Sequence, residues 1–357
     1  MAASLIMLDG VRPRPINITR DVESLSREVR DNTLSITDRL ESLEDIVNLE
    51  VGDTALTRLR NLERDYGIRQ LFIKFEGDNP TGTQKDRIAF AQVYDAIRRG
   101  YDTVALATCG NYGVAMAVAC SLAGLSCRVY IPASYHTERI EEMKNFHAQI
   151  IRLPGTYEEV VTASSQEARV EDYYDANPGG SNTPLQLKAY SEIAFEIYDQ
   201  LRDAPKFVAC PVSNGTLLAG VFRGFVNLYK RGKTSRIPHF IAGSSSNKNP
   251  IVSSFNKGLK HCEDLDPAKI RETEINEPLI NWHSFDGDEA VYALRESGGF
   301  AVPISDQKMK GMASHLLKND GIKVLPAATA GLIALLQKHQ LQPMEHDRFV
   351  TIVTARN

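Results

Sequence analysis

The chain has no Cys-x-x-Cys pair and no histidine at zinc spacing from a cysteine. Its five cysteines, Cys109, Cys120, Cys127, Cys210 and Cys262, are scattered and odd in number. They describe neither a disulfide framework nor a structural zinc site, and they fit a reducing, cytoplasmic setting. The eight histidines form no constellation, so no metal is expected. No apolar run reaches the roughly 20 residues that a membrane-spanning helix needs. The mildly apolar start, Met1 to Leu8, stops at Asp9-Gly10 without a signal peptide's basic flank. Neither sign of charge dominates either. A net charge of −4 gives no electrostatic reason to expect nucleic acid or an anionic membrane as partner.

What is present is enough chain for two packed domains sharing a cleft: 357 residues, 43% of them hydrophobic. Residues from about 18 to 48 are charge-rich, with Val22, Leu25, Val29, Leu40, Leu43, Ile46 and Val47 at roughly helical spacing. They predict a helical arm packed on its own body or on a second subunit. Beyond residue 69, short β-branched runs alternate with amphipathic ones. Strands are expected at 70–74, 103–107, 127–131, 149–153, 206–210, 238–242 and 349–353, with helices at 114–122, 138–146, 157–171 and 186–201. That alternation predicts an α/β fold with mostly parallel twisted sheets flanked by helices. Residues 244–285 are the least patterned and predict surface loops and short helices near the cleft.

One lysine stands in an odd place. The segment Asn79-Pro80-Thr81-Gly82-Thr83-Gln84-Lys85-Asp86-Arg87 puts Lys85 just after a Pro/Gly/Thr turn, at the mouth of a helix running on through Ile88, Val93 and Ile97. A helix N-terminus is positive and disfavours a cation. Such a site favours a neutral amine, which can attack a carbonyl. Asp86 and Arg87 are expected to brace the helix that carries the lysine.

Two further loops follow strand-like runs, the place where open α/β sheets bind ligands. Thr108-Cys109-Gly110-Asn111-Tyr112-Gly113 offers backbone N–H groups to an anion. Pro211-Val212-Ser213-Asn214-Gly215-Thr216 brings hydroxyls, an amide and a flexible glycine to a helix N-terminus, which suits a phosphate dianion.

These segments resemble, in the same order along about residues 50–357, those of the pyridoxal-phosphate enzymes of the tryptophan-synthase β and threonine-synthase type. There the lysine segment usually reads N-P-T-G-S-F-K-D-R. The resemblance implies pyridoxal 5′-phosphate as cofactor, held covalently by Lys85 in the cleft between two domains. It implies that Ser213, Asn214, Gly215 and Thr216 form the phosphate loop. Thr108, Cys109 and Gly110 then line the site of the substrate carboxylate, and Asn111 touches the cofactor ring oxygen. Thr354, after the final strand, faces the pyridine nitrogen, and loss of the last residues is expected to silence the enzyme.

Val51 to Leu59, Ala189 to Ile197 and Lys323 to Ala330 resemble three further family segments more loosely, with Leu325 in place of a glutamate. Cys109, where serine is usual, and Thr83-Gln84 also depart from the pattern. A thiol is the weaker donor, so an unusual substrate preference is expected.

The resemblance divides the chain into an arm (1–48), a large cofactor-phosphate domain (49–78 and 190–357) and a smaller, mobile substrate-carboxylate domain (79–189). It implies a homodimer acting on a small amino acid as a lyase or a β- or γ-replacement enzyme. A threonine/serine ammonia-lyase and a cysteine-synthase-like β-replacement enzyme are the near alternatives. A non-catalytic cofactor-binding subunit is the alternative of another class. A nicotinamide-dependent enzyme is disfavoured because no G-x-G-x-x-G follows an early strand.

Overall fold

The computed structural model describes residues 16, 18–108, 110–135, 139–344 and 346–357. The chain opens with two helices, α1 (Arg20–Arg30) and α2 (Ile36–Glu50), each begun by a hydroxyl that caps a free N–H, Thr19 and Ser35. Then follow β1 (Leu56–Arg58), α3 (Arg60–Tyr66), β2 (Leu71–Phe75), α4 (Lys85–Arg98) and β3 (Thr103–Ala107). The next run is α5 (Asn111–Ala123), β4 (Ser126–Pro132), α6 (Arg139–Asn145), β5 (Gln149–Leu153), α7 (Tyr157–Val170) and β6 (Tyr174–Asp175). The chain continues through α8 (Thr183–Leu201), β7 (Phe207–Pro211), α9 (Thr216–Lys230), β8 (His239–Ser245) and α10 (Pro250–Asn256). It closes with α11 (Gly287–Glu296), β9 (Phe300–Ile304), α12 (Asp306–Asp320), α13 (Ala330–Leu341) and β10 (Phe349–Val353).

The strands form two sheets. One has the order β5-β4-β3-β6 and is wholly parallel. The other runs β1-β2-β10-β7-β8-β9 and is parallel except for the short antiparallel strand β1 at its edge. Every expected strand is present, its ends within three residues of those expected. Three were not foreseen: β1, β6 and β9. Two of these are only two or three residues long, too short for a periodicity to show. The third carries Pro303, and it sits at a sheet edge, where a missing N–H costs little.

The arm packs on its own body. Val22, Val29, Leu40, Leu43 and Ile46 are buried in the main core cluster beside residues of α4 and α5, and the Ser26 hydroxyl donates to the Leu122 carbonyl at 2.8 Å. The 244–285 stretch has, after the end of β8, one short helix, two 3₁₀ turns and loops, as expected.

Four buried charges tie β2, α4 and α8 together. The Arg87 guanidinium forks onto both oxygens of Glu76 (2.6 and 2.9 Å) and both of Glu196 (2.6 and 2.9 Å). The fully buried Lys74 ammonium meets Glu196 at 2.5 Å and donates to the Thr54 carbonyl. Two cations face two anions, so the group is neutral while every member is paired. The Arg87 and Lys74 cations hold the Glu196 carboxyl down at about 2, against its burial. Removing one partner would leave an uncompensated buried charge. Arg87→Ala is therefore expected to cost about 3–5 kcal/mol, read as a lower urea midpoint at unchanged slope; a loss below about 1 kcal/mol, the scale of an exposed pair, would show that solvent reaches the cluster.

Candidate active site

Lys85 is the first residue of α4, as the sequence placed it. The turn before it is fixed from three sides. Gly82 has φ +87°, and a Cβ there would lie 2.6 Å from the Arg356 side chain. Thr81 donates through its N–H and its hydroxyl to the Asp86 carboxylate (2.9 and 2.8 Å). Residues after β10 close the third side. The Gln84 N–H donates to the Thr354 carbonyl (3.0 Å), and the Arg356 N–H donates to the Gly82 carbonyl (3.0 Å). The Arg356 guanidinium reaches the carbonyls of Gly77 and Pro80, each at 3.0 Å.

The Lys85 amine lies 5.5 Å from the centre of the Tyr112 ring and 6.0 Å from that of Tyr190. Loss of water around the amine pulls its pKa down to about 8, while the Asp286 carboxylate pulls the other way. Burial likewise pushes the Asp86 carboxyl up to about 7, against its Thr81 hydrogen bonds and the Arg356 and Arg139 charges. An amine near neutrality, rather than a fixed ammonium, is what nucleophilic attack on a carbonyl requires.

Sheet order brings the other predicted residues to it. In the order β2-β10-β7, three neighbouring parallel strands end together. Strands lie roughly 5 Å apart, so the turn to Lys85, Thr354 and the loop from Ser213 to Thr216 emerge side by side. Thr354 is buried, and its hydroxyl has no partner among the described residues.

The 213–216 loop has its carbonyl side anchored. The Asn249 amide and the Ser284 hydroxyl donate to the Ser213 carbonyl at 3.0 and 3.2 Å, and the Asn281 amide donates to the Asn214 side-chain oxygen at 3.1 Å. The N–H groups of Ser213, Asn214, Gly215 and Thr216 have no partner among the described residues. They stand at the positive end of α9. Gly215 has φ +96°, and a Cβ there would press within 2.8 Å of Ala290 and of the Asp286 carbonyl.

The loop after β3 leaves the four-stranded sheet beside β4 and α6. Gly110 precedes α5 as its N-terminal cap, and Asn111 is the helix's first residue. The Asn111 side chain accepts from Arg139 of α6 at 2.7 Å. The Thr108 N–H is bonded to Tyr130, and the Thr108 hydroxyl accepts from Gly110 at 3.4 Å. Cys109 lies outside the described residues. Asn111 is followed in α5 by Tyr112, whose ring faces the Lys85 amine and whose hydroxyl donates to the Ala176 carbonyl at 2.8 Å.

Sequence reasoning missed Asp286, Tyr112 and Tyr190. The two tyrosines look like ordinary core residues at helical spacing. Asp286 precedes a helix as Ser284-Phe285-Asp286-Gly287, a capping pattern that signals a helix start and nothing about chemistry.

A lysine at a helix mouth, unpartnered N–H groups at the start of a second helix and a threonine hydroxyl between them, all at strand ends of an α/β fold, form an arrangement that could hold an aldehyde carrying a phosphate. The chain belongs to the family of pyridoxal-phosphate-dependent enzymes, which matches residues 47–355, and its cofactor is pyridoxal 5′-phosphate. It is 29% identical to the threonine synthase of Methanocaldococcus jannaschii, over 87% of this chain and 75% of that one. The fold is similar to that of maize serine racemase (TM-score 0.72, 18% identity, 89% and 93% of the two chains). It is also similar to the processed form of threonine deaminase isoform 2 from Solanum lycopersicum (TM-score 0.69, 15% identity, 98% and 96%).

The residues present fit the cofactor. The 213–216 N–H groups lack acceptors among the described residues, as a phosphate cradle requires, and the largely buried Thr354 keeps its hydroxyl free of any described partner.

In the cofactor-free enzyme, Lys85 should be alkylated by formaldehyde and borohydride at a rate that rises with pH and levels off above about 8. Peptide mass spectrometry would follow it; a rise continuing toward 10.5, the value of an ordinary lysine, would contradict the reading.

Proposed function

We propose that this chain is a lyase or a β- or γ-replacement enzyme acting on an amino acid, resembling threonine synthase. The observation that carries this reading is Lys85, whose buried amine has its pKa lowered to about 8 and whose preceding turn is held by the end of β10. Support comes from the threonine synthase similarity over most of the chain.

Pyridoxal phosphate, when bound, supplies an electrophilic carbonyl for an amine and an electron sink for charge developing at the substrate Cα. Lys85 holds the cofactor at rest. Once the substrate amine has displaced it, the Lys85 Nζ takes the proton from the substrate Cα and holds it. A leaving group departs from Cβ or Cγ, and water or a second nucleophile adds. The N–H groups of Ser213, Asn214, Gly215 and Thr216 hold the phosphate. Thr108, Cys109 and Gly110 bind the substrate carboxylate, and Asn111 reaches the cofactor ring oxygen.

Thr354 faces the ring nitrogen with a neutral hydroxyl. A hydroxyl does not favour a protonated nitrogen as a carboxylate would, and this suits elimination and replacement better than transamination. In this reading residues 79–189 form a mobile unit that closes over the carboxylate and excludes water, and the enzyme works as a homodimer in the cytoplasm.

Threonine/serine ammonia-lyase and cysteine-synthase-like chemistry use the same residues and differ in the leaving group and in what adds.

The holoenzyme should be yellow, and its visible band should shift on adding one amino acid or its phosphorylated or acetylated derivative. Lys85→Ala should abolish the resting band and lower turnover more than about 10²-fold, the least expected when a general base is lost. A band that survives this substitution would remove Lys85 from its role. A band that no amino acid shifts would favour a cofactor-binding subunit without turnover.

A further inference from the structure

The phosphate cradle contains a carboxylate. Asp286 stands just before α11, buried, with its backbone N–H bonded to the Asn214 carbonyl at 3.1 Å. Its side chain accepts from the Thr216 hydroxyl at 2.5 Å, from the Thr183 hydroxyl at 3.4 Å and from the Gly179 N–H. A hydroxyl has one proton to give. Thr216, the residue the sequence offered as a phosphate donor, has already given its proton to Asp286.

A dianion seated on the 213–216 N–H groups would therefore meet a second anion across a single threonine. Asp286 cannot simply withdraw, because its carbonyl is packed against Gly215 and its N–H is tied to Asn214. The charged and titratable groups that act on it or feel it are Lys85 of α4, Tyr190 of α8 and its own neighbour Glu289 in α11. Lys85 is the only cation among these three. Its single positive charge is too little to compensate a phosphate dianion and the Asp286 carboxylate together. Glu289 makes matters worse.

Resting on the phosphate-loop reading above, we infer that Asp286 makes cofactor binding proton-linked: a phosphate dianion entering the loop takes one proton from solvent onto the Asp286 carboxylate. The charges balance, since one dianion and one proton enter and no covalent bond to the cofactor changes. The neutral carboxyl then needs no proton from Thr216, whose hydroxyl turns to the phosphate. Burial already raises the Asp286 pKa in the empty enzyme, against its hydrogen bonds from Thr216, Thr183 and Gly179, and an incoming anion pushes it the same way. Asp286 is thus a residue that selects the charge of the bound group. Its role differs from that of the backbone cradle, which accepts an anion at any pH.

The test uses the purified full chain freed of cofactor, with 4′-deoxypyridoxine 5′-phosphate as probe. The probe keeps the phosphate and lacks the carbonyl, so Lys85 chemistry does not enter. Titration calorimetry at pH 7, where Lys85 is already largely protonated and adds little to the count, is run in two buffers of different ionisation enthalpy and counts protons directly. The probe's own phosphate, with a second pKa of about 6, is already largely a dianion there. Native protein is expected to take up most of one proton per site, and its affinity to fall by up to about tenfold per pH unit between the carboxyl's titration in the free protein and its titration in the complex, levelling off above the latter. Asp286→Asn is expected to take up almost none and to bind with an affinity nearly flat in pH.

Binding without proton uptake by the native protein, or equal uptake in both proteins, overturns the inference. The native measurement decides it even if the variant fails to fold. A probe that does not bind, together with no visible band from pyridoxal 5′-phosphate, removes the phosphate-loop reading and the inference with it. A band with proton-free probe binding removes the inference alone.

Discussion

The pairing of Arg87 with Glu76 and Glu196 is the constraint on which the site depends. Arg87 is two residues after Lys85, so whatever fixes its guanidinium fixes the first turn of α4. Glu76 follows β2 directly and Glu196 lies on α8. One side chain therefore locks the helix carrying the amine to the sheet beneath it and to a helix beside it. Buried ion pairs are weak evidence for stability, because desolvation consumes most of the attraction. Here geometry is the better account. Two forked carboxylates accept a planar guanidinium in only one orientation, and that orientation sets where the Lys85 side chain starts.

The position of β10 supplies the second constraint. It is the last strand in sequence but the third in its sheet, inserted between β2 and β7. Its end delivers Thr354 between the lysine turn and the 213–216 loop, and Thr83 pairs with Ala355 across the gap. The expectation that the final residues matter gains a mechanism: Arg356 holds the carbonyls of Gly77, Pro80 and Gly82, which the turn leaves without helix partners. Leu325, where the family segment it resembles reads glutamate, touches the same segment through its backbone N–H, which donates to the Ala355 carbonyl at 3.1 Å. The main-chain link does not depend on the side chain, so it survives the exchange.

Legibility followed residue chemistry at strand ends. Lys85, Gly215 and Thr354 were readable because each stands at a strand-to-loop junction, where backbone direction is set by local sequence. Asp286, Tyr112 and Tyr190 were not, because their relation to Lys85 arises from packing between helices distant in the chain. The arm was half legible. Its apolar stripe showed that it must pack, but a stripe cannot say on what. Edge strands β6 and β9 escaped for a different reason: β6 is too short for a periodicity to show, and Pro303 interrupts the strand pattern of β9.

The electrostatics of the cleft form a balance that no single residue sets. Burial drives the Lys85 amine toward neutrality, while Asp286 and the faces of two tyrosine rings favour its cation. A cleft with burial alone would give a neutral amine with little tendency to hold the proton it must later remove. A cleft with a strong ion pair would give an ammonium unable to attack. A value of about 8 lies between these, near the point where a group can give and take a proton with equal ease at physiological pH. The same carboxylate that tempers the lysine also holds the Thr216 hydroxyl at the mouth of the anion cradle. Charge entering the loop at Thr216 would therefore reach the amine through Asp286, so on the proposed reading the lysine and the phosphate loop would not be tuned independently.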